Sequence, residues 1–246
     1  MKELRSRYYR WYPPSNHLGY QDEFIPVNPK TTALLLVDVY LPEEASHEKG
    51  TWEKSSALAP KDYHAWRKII ETRISPLAEA ARSSGFPVIY TCNSSPQIKM
   101  GRSAYGQKLE KSLGINTEEE FGFFNPEDQE NSLNFLECVR PQTGDYLIYK
   151  TVYSAFYNTV LDDTLRNIGI TTLLVAGFRL DACLLSTVFD ALFRNYQLIL
   201  FRDATLGCEL DSEIDRLAFT TRMLLHFETL IGSTAEARDF LEVCGF

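Results

Sequence analysis

The chain of 246 residues holds few cysteines, few histidines, no long apolar run and no excess of positive charge. Its five cysteines (Cys92, Cys138, Cys183, Cys208 and Cys244) are odd in number, scattered, and without a C-x-x-C pair. That excludes a disulfide framework and a thiolate zinc site, and it predicts reduced thiols that are mostly small buried hydrophobes. His47 and His64 lack the spacing of metal ligands, so no metal is expected. No run approaches the roughly 20 apolar residues that span a bilayer. The basic, aromatic start MKELRSRYYRWYPP lacks the apolar stretch of a signal peptide, so a cytoplasmic location is expected. A net charge of −8 and a pI near 5.1 argue against nucleic acid or an anionic membrane as partner. Glycine-rich phosphate loops are missing as well: GFRLDAC is not G-x-G-x-x-G, and no cofactor is expected.

What is present is an alternation of apolar strands and helices. Hydrophobic content of 44% against 24% charged residues suits a folded domain with a core that needs no staples. Residues 1–30 carry six aromatics and four prolines without a period, and read as an extended arm seeking a surface in its own subunit or a neighbour. From residue 31 to 246 one domain follows. ALLLVDV (33–39), PVIYTC (87–92), DYLIYK (145–150), LLVA (173–176), LILFR (198–202) and a short segment at 229–231 read as six strands. Helices are expected at 62–84, 159–167, from about Cys183, at 213–226 and at 234–243, with short helical pieces at 104–113 and 129–139. Strands that do not alternate in polarity are covered on both faces, which predicts a three-layer α/β/α fold around a mainly parallel six-stranded sheet.

Active sites in such sheets lie beyond the carboxyl ends of the strands. Three chemically loaded residues fall there: Asp38 ending the first strand, Lys150 ending the third, and Cys183 after the fourth. A thiol at a helix N-terminus faces free N–H groups, which favour thiolate and can hold an oxyanion. Together the three make a nucleophile, a base and a cation; singly, Asp38 and Lys150 read equally well as an ion pair joining two strands. Tyr40, Tyr153 and Phe156 are expected to line a small polar-aromatic pocket.

These residues, in this order, resemble the Asp–Lys–Cys triad of isochorismatase-like cysteine hydrolases, with VAGFRLDAC and DAT (203–205) as the supporting motifs and KTVYSAFYNTVLDDTLRNIGI closest to the branch acting on ureido and carbamoyl compounds. The number of aromatic residues around the arm and the site predicts a homo-oligomer, a homodimer or homotetramer. The resemblance implies hydrolysis of a C–N bond in a small ureide, carbamoyl compound or amide, through a thioester or thiocarbamate on Cys183. It also implies a cis peptide between Arg179 and Leu180, with the N–H groups of Leu180 and Cys183 toward the oxyanion. Arg179 and Leu180 stand where relatives carry a small residue and Thr, and Arg179 could meet a substrate carboxylate or form a structural ion pair. The alternatives are a vinyl-ether hydrolase of isochorismatase type, against which the cysteine argues, and a non-catalytic binding member.

Overall fold

The computed structural model describes residues 2–16, 19–40, 60–93, 104–113, 135–207 and 216–246. Its strands are β1 (Lys2–Arg10), β2 (Gly19–Val27), β3 (Thr32–Val37), β4 (Val88–Asn93), β5 (Tyr146–Lys150), β6 (Thr172–Gly177), β7 (Gln197–Thr205) and β8 (Ser233–Ala235). The helices are α1 (Pro60–Ile69), which runs through a π turn at Ile70–Ile74 into α2 (Ser75–Ser83), then α3 (Ala104–Leu113), α4 (Leu161–Asn167), α5 (Cys183–Phe193), α6 (Arg216–Leu230) and α7 (Ala237–Cys244). None of them is long and apolar enough to cross a membrane.

The strands form one sheet in the order β2-β1-β8-β7-β6-β3-β4-β5, eight rather than the six expected. β3 to β8 are mutually parallel, and β1 and β2 add an antiparallel hairpin at the β8 edge. The supposed arm is therefore part of the sheet. Its sequence hides this because β1 turns only Leu4 and Ser6 fully inward, so little apolar alternation shows. The hairpin is fastened by Arg7, whose Nε donates to buried Glu228 at 2.7 Å while Thr234 donates to the same oxygen.

Alternate residues of each central strand feed two cores. Leu34 and Leu36 of β3 and Leu174 and Ala176 of β6 face α1, α2 and α7, packing with Trp66, Ile70, Leu77 and Phe240. Ala33, Leu35, Val37, Leu173 and Val175 face the other way, against α4, α5 and α6 through Leu161, Leu165, Leu184, Val188 and Phe227. Both faces are covered, which is why these strands read as unbroken apolar runs. The end of the chain departs from expectation: α6 continues through Leu230, the strand lies at Ser233–Ala235, and the last helix begins at Ala237. Thr229 is absorbed into α6 by donating its hydroxyl to the Leu225 carbonyl. The helical piece expected at 129–139 lies partly outside the described residues; within them only a 3-10 turn at Glu137–Val139 forms.

The chain proceeds from β3 outward to β4 and β5, then returns to β6 on the opposite side of β3. The β3/β6 boundary is thus the switch point at which α/β sheets open a crevice. Gly177 at the end of β6 makes that boundary tight. Its φ is +117°, and a Cβ there would sit 2.1 Å from the Val37 carbonyl oxygen. Gly177→Ala is expected to destabilise the fold by about 3 kcal/mol or more, with a lowered urea midpoint, and to displace Asp38, the next residue after Val37.

Candidate active site

The crevice collects residues from four elements. Asp38 follows β3 with φ +50°, an uncommon backbone for a non-glycine residue but one that aspartate tolerates, and its N–H donates to the Thr91 carbonyl at 2.9 Å. This turn lifts Asp38 out of the strand's alternation and over the carboxyl edge, where it is 6% exposed. Lys150, the last residue of β5, is fully buried. Its Nζ lies 2.9 Å from Asp38 Oδ2 and 3.4 Å from Cys183 Sγ, and it donates to Asn93 Oδ1 as well. Cys183 is the first residue of α5, where a backbone N–H has no acceptor within the helix.

The thiol departs from the thiolate expected at a helix start. Burial is the largest influence and the Asp38 carboxylate the next; with the hydrogen bond between Asp38 and the thiol they outweigh Lys150, and Cys183 is pushed up to about 12 from an ordinary 9.0. That favours S–H over thiolate at Cys183, and it favours the proton on Lys150: burial lowers the lysine's value, but Asp38 and Cys183 outweigh burial and raise it. Both groups bind their protons more tightly folded than unfolded. Stability is accordingly expected to be level through neutral pH and to fall as the pH rises above about 9, where the unfolded chain loses protons first; the melting temperature followed from pH 7 to 11 checks this.

The β6–α5 loop corrects two expectations. The cis peptide is Phe178–Arg179, one residue earlier than Arg179–Leu180. The Leu180 N–H donates to the Leu206 carbonyl at 3.1 Å, so it is occupied by the fold and does not serve the oxyanion. Of the two donors expected, that leaves the Cys183 N–H. Arg179 engages Asp181 through Nη2 at 2.7 Å and Nε at 3.4 Å, a forked ion pair beside the cysteine. Phe178 stacks on Trp66 with ring centroids 4.2 Å apart, and Phe178 N–H donates to Val37 O at 2.7 Å, which fixes the start of the loop on β3.

The aromatic candidates divide. Tyr40 reaches the centre: its hydroxyl is 3.4 Å from Asp38 Oδ1 and receives the Asn93 N–H at 3.2 Å. Tyr153, 37% exposed, is pushed up mainly by burial, and its ring meets Tyr105 of α3 edge-on at 4.9 Å. Phe156 does not line the cleft. It is 4% exposed and belongs to the core under α5, against Tyr196 at 5.8 Å and under Arg194 at 5.2 Å. The backbone around it is drawn there by Ala155 N–H donating to Thr187 Oγ1, which itself donates to the Cys183 carbonyl.

Two residues went unrecognised in the sequence. Asn93 was visible only as the polar end of TCNSSP, and its bond to Lys150 depends on β4 lying beside β5 in the register Asn93↔Lys150. Tyr105 sits in a polar stretch whose placement over the cleft no local pattern reveals. The DAT motif, by contrast, is architectural. Asp203 accepts the N–H of Ala237 at the start of α7 and pairs with Arg73, while Thr205 Oγ1 donates to the Gly177 carbonyl at 2.7 Å.

The Isochorismatase domain profile matches residues 56–234. The chain belongs to the isochorismatase family. Among relatives of this isochorismatase-family chain, the ureidoacrylate amidohydrolase RutB of Methylobacterium radiotolerans is 30% identical over 231 residues, covering 91% of this chain and 83% of that protein. RutB of Caulobacter segnis is 32% identical over 191 residues, 74% of this chain and 75% of its own length. In structure, a cysteine hydrolase from Pseudomonas syringae pv. phaseolicola superposes with a TM-score of 0.69 at 22% identity, over 89% of this chain and 95% of that one. N-carbamoylsarcosine amidase from Thermoplasma acidophilum gives 0.54 at 24% identity, over 84% and 96%. The three-layer fold is the one shared with these proteins.

Proposed function

We propose that this isochorismatase-family chain is a cysteine-dependent amidohydrolase that cleaves a C–N bond in a small ureide, carbamoyl compound or amide. The observation that carries the reading is the contact chain Cys183 Sγ–Lys150 Nζ–Asp38 Oδ2, at 3.4 and 2.9 Å, set at the first turn of a helix. The names of the relatives support it, since ureidoacrylate and N-carbamoylsarcosine both present a carbonyl between nitrogens.

In this reading the resting thiol passes its proton to Asp38 as sulfur attacks the carbonyl carbon, and the C=O electron pair moves onto oxygen beside the Cys183 N–H. Lys150 stays charged and stabilises both the thiolate as it forms and the negative charge it leaves. Collapse expels ammonia or an amine, which takes the proton from Asp38. Water then attacks the thioester or thiocarbamate, restoring the thiol and releasing the acid or carbamate. A thiol kept neutral at rest suits this sequence: it is protected until a carbonyl is in place, and the base lies against it.

The test is an ammonia-release screen over ureidoacrylate, N-carbamoyl amino acids, biuret and simple amides. Turnover by the native chain that disappears in Cys183→Ala is the expected result. Turnover retained in that variant would refute the mechanism.

A further inference from the structure

Tyr40 was expected to shape a substrate pocket, but its contacts describe a different task. Its hydroxyl lies between two groups of the site, receiving the Asn93 N–H at 3.2 Å and facing Asp38 Oδ1 at 3.4 Å. Since a phenol has one proton, accepting from Asn93 leaves that proton directed at the carboxylate. The ring is held edge-on by Phe135 with centroids 6.0 Å apart. Asn93 meanwhile accepts from Lys150, the donor on the other oxygen of Asp38. One residue at the end of β4 therefore steadies two donors of the carboxylate, one through its main chain and one through its side chain.

We propose that Tyr40 is a positioning residue for the base: its phenol, oriented by the Asn93 N–H, holds Asp38 Oδ1 and restrains the proton affinity of the carboxylate that receives the Cys183 proton. The inference rests on the amidohydrolase reading above. Burial and the Asp38 charge both push the Tyr40 phenol well up, so it remains a donor throughout the working range. The other groups that face Asp38 are Lys150 from β5, Cys183 from α5, Cys92 from β4 and Tyr105 from α3. Lys150 is the one cation among them. Tyr40 thus supplies a donor beside Lys150 and the thiol without adding a charge.

The experiment needs no substrate. Carboxamidomethylation of Cys183 by iodoacetamide, followed on the mapped peptide between pH 4 and 9, is compared in the native full-length chain, Tyr40→Phe and Asp38→Asn. Phenylalanine keeps the ring against Phe135, and melting temperatures verify the folds. The native rate is expected to show an acid limb set by Asp38; Asp38→Asn is expected to remove that limb and leave the thiol's own ionisation, at higher pH, as the sole pH dependence. Loss of the phenol donor makes the carboxylate a stronger base, so Tyr40→Phe is expected to move the limb upward by roughly one pH unit, the scale on which a single hydrogen bond to the charged form shifts a carboxylate. Tyr40→Gln, which retains a donor, is expected to restore the limb toward the native position and provides the second reading if phenylalanine unfolds the chain. A Tyr40→Phe limb that superimposes on the native one, with Asp38→Asn still removing it, overturns the role of Tyr40 and leaves the amidohydrolase reading standing. A limb that stays at its native pH in Asp38→Asn overturns Asp38 as the base, and both readings fall together.

Discussion

Replacing Cys183 with serine or alanine is expected to lower turnover of a ureide or amide by about 10³-fold or more, with little change in melting temperature. The geometry gives the reason for both halves. Cys183 Sγ lies 3.4 Å from Lys150 Nζ at the first residue of α5, and neither replacement carries a sulfur there. Serine is the sharper test. Its hydroxyl has the same neighbours but a far higher proton affinity, so Asp38 has a much harder proton to remove, while packing is barely altered. Kinetics of ammonia release beside a thermal melt separate the two effects.

The second large effect falls on stability. Lys150→Met strips the cation from a buried carboxylate and orphans the Asn93 carbonyl, and it is expected to cost about 3–5 kcal/mol. At this chain length that corresponds to a fall in melting temperature of about 10 °C. The double replacement Lys150→Met with Asp38→Asn, whose side chain tolerates the positive φ at this position, is expected to recover most of the loss, because it removes the stranded charge along with its partner. Neither protein should turn over. If the single variant were as stable as the native chain, the Asp38–Lys150 contact would not be the desolvated pair that its burial describes. Recovery of folding without recovery of activity would show that the pair is kept for chemistry and not for stability.

The sheet interior and the three strand-end residues were legible because they follow from local pattern: continuous apolar runs, and an acid, a lysine and a cysteine where each run stops. Other features depend on distant partners and left no local trace. The hairpin at residues 2–27 is held by Arg7 on Glu228, far along the chain, and β1 shows no clean alternation. The thiol's resting state was misjudged because the helix start was weighed without the burial and the Asp38 charge that oppose it. Leu180 was assigned to the oxyanion because the carbonyl of Leu206, which takes its N–H, comes from the segment after β7. Phe156 looks like its aromatic neighbours in sequence, and only the seating of residues 151–160 on α5 through Thr187 turns it inward.

The register of the sheet carries one more consequence. Gly177 pairs with Val37, Val37 with Thr91, and Thr91 with Ile148, a continuous line of partners across four strands; the Asn93–Lys150 pair lies two residues further on, at the edge where Asp38 and Cys183 stand. Slipping β5 by a single residue would turn Lys150 to the opposite face. Activity in this chain is therefore a checksum on assembly: only copies in which all four strands have met in the correct frame bring acid, amine and sulfur together, and misaligned copies remain silent however compact they are.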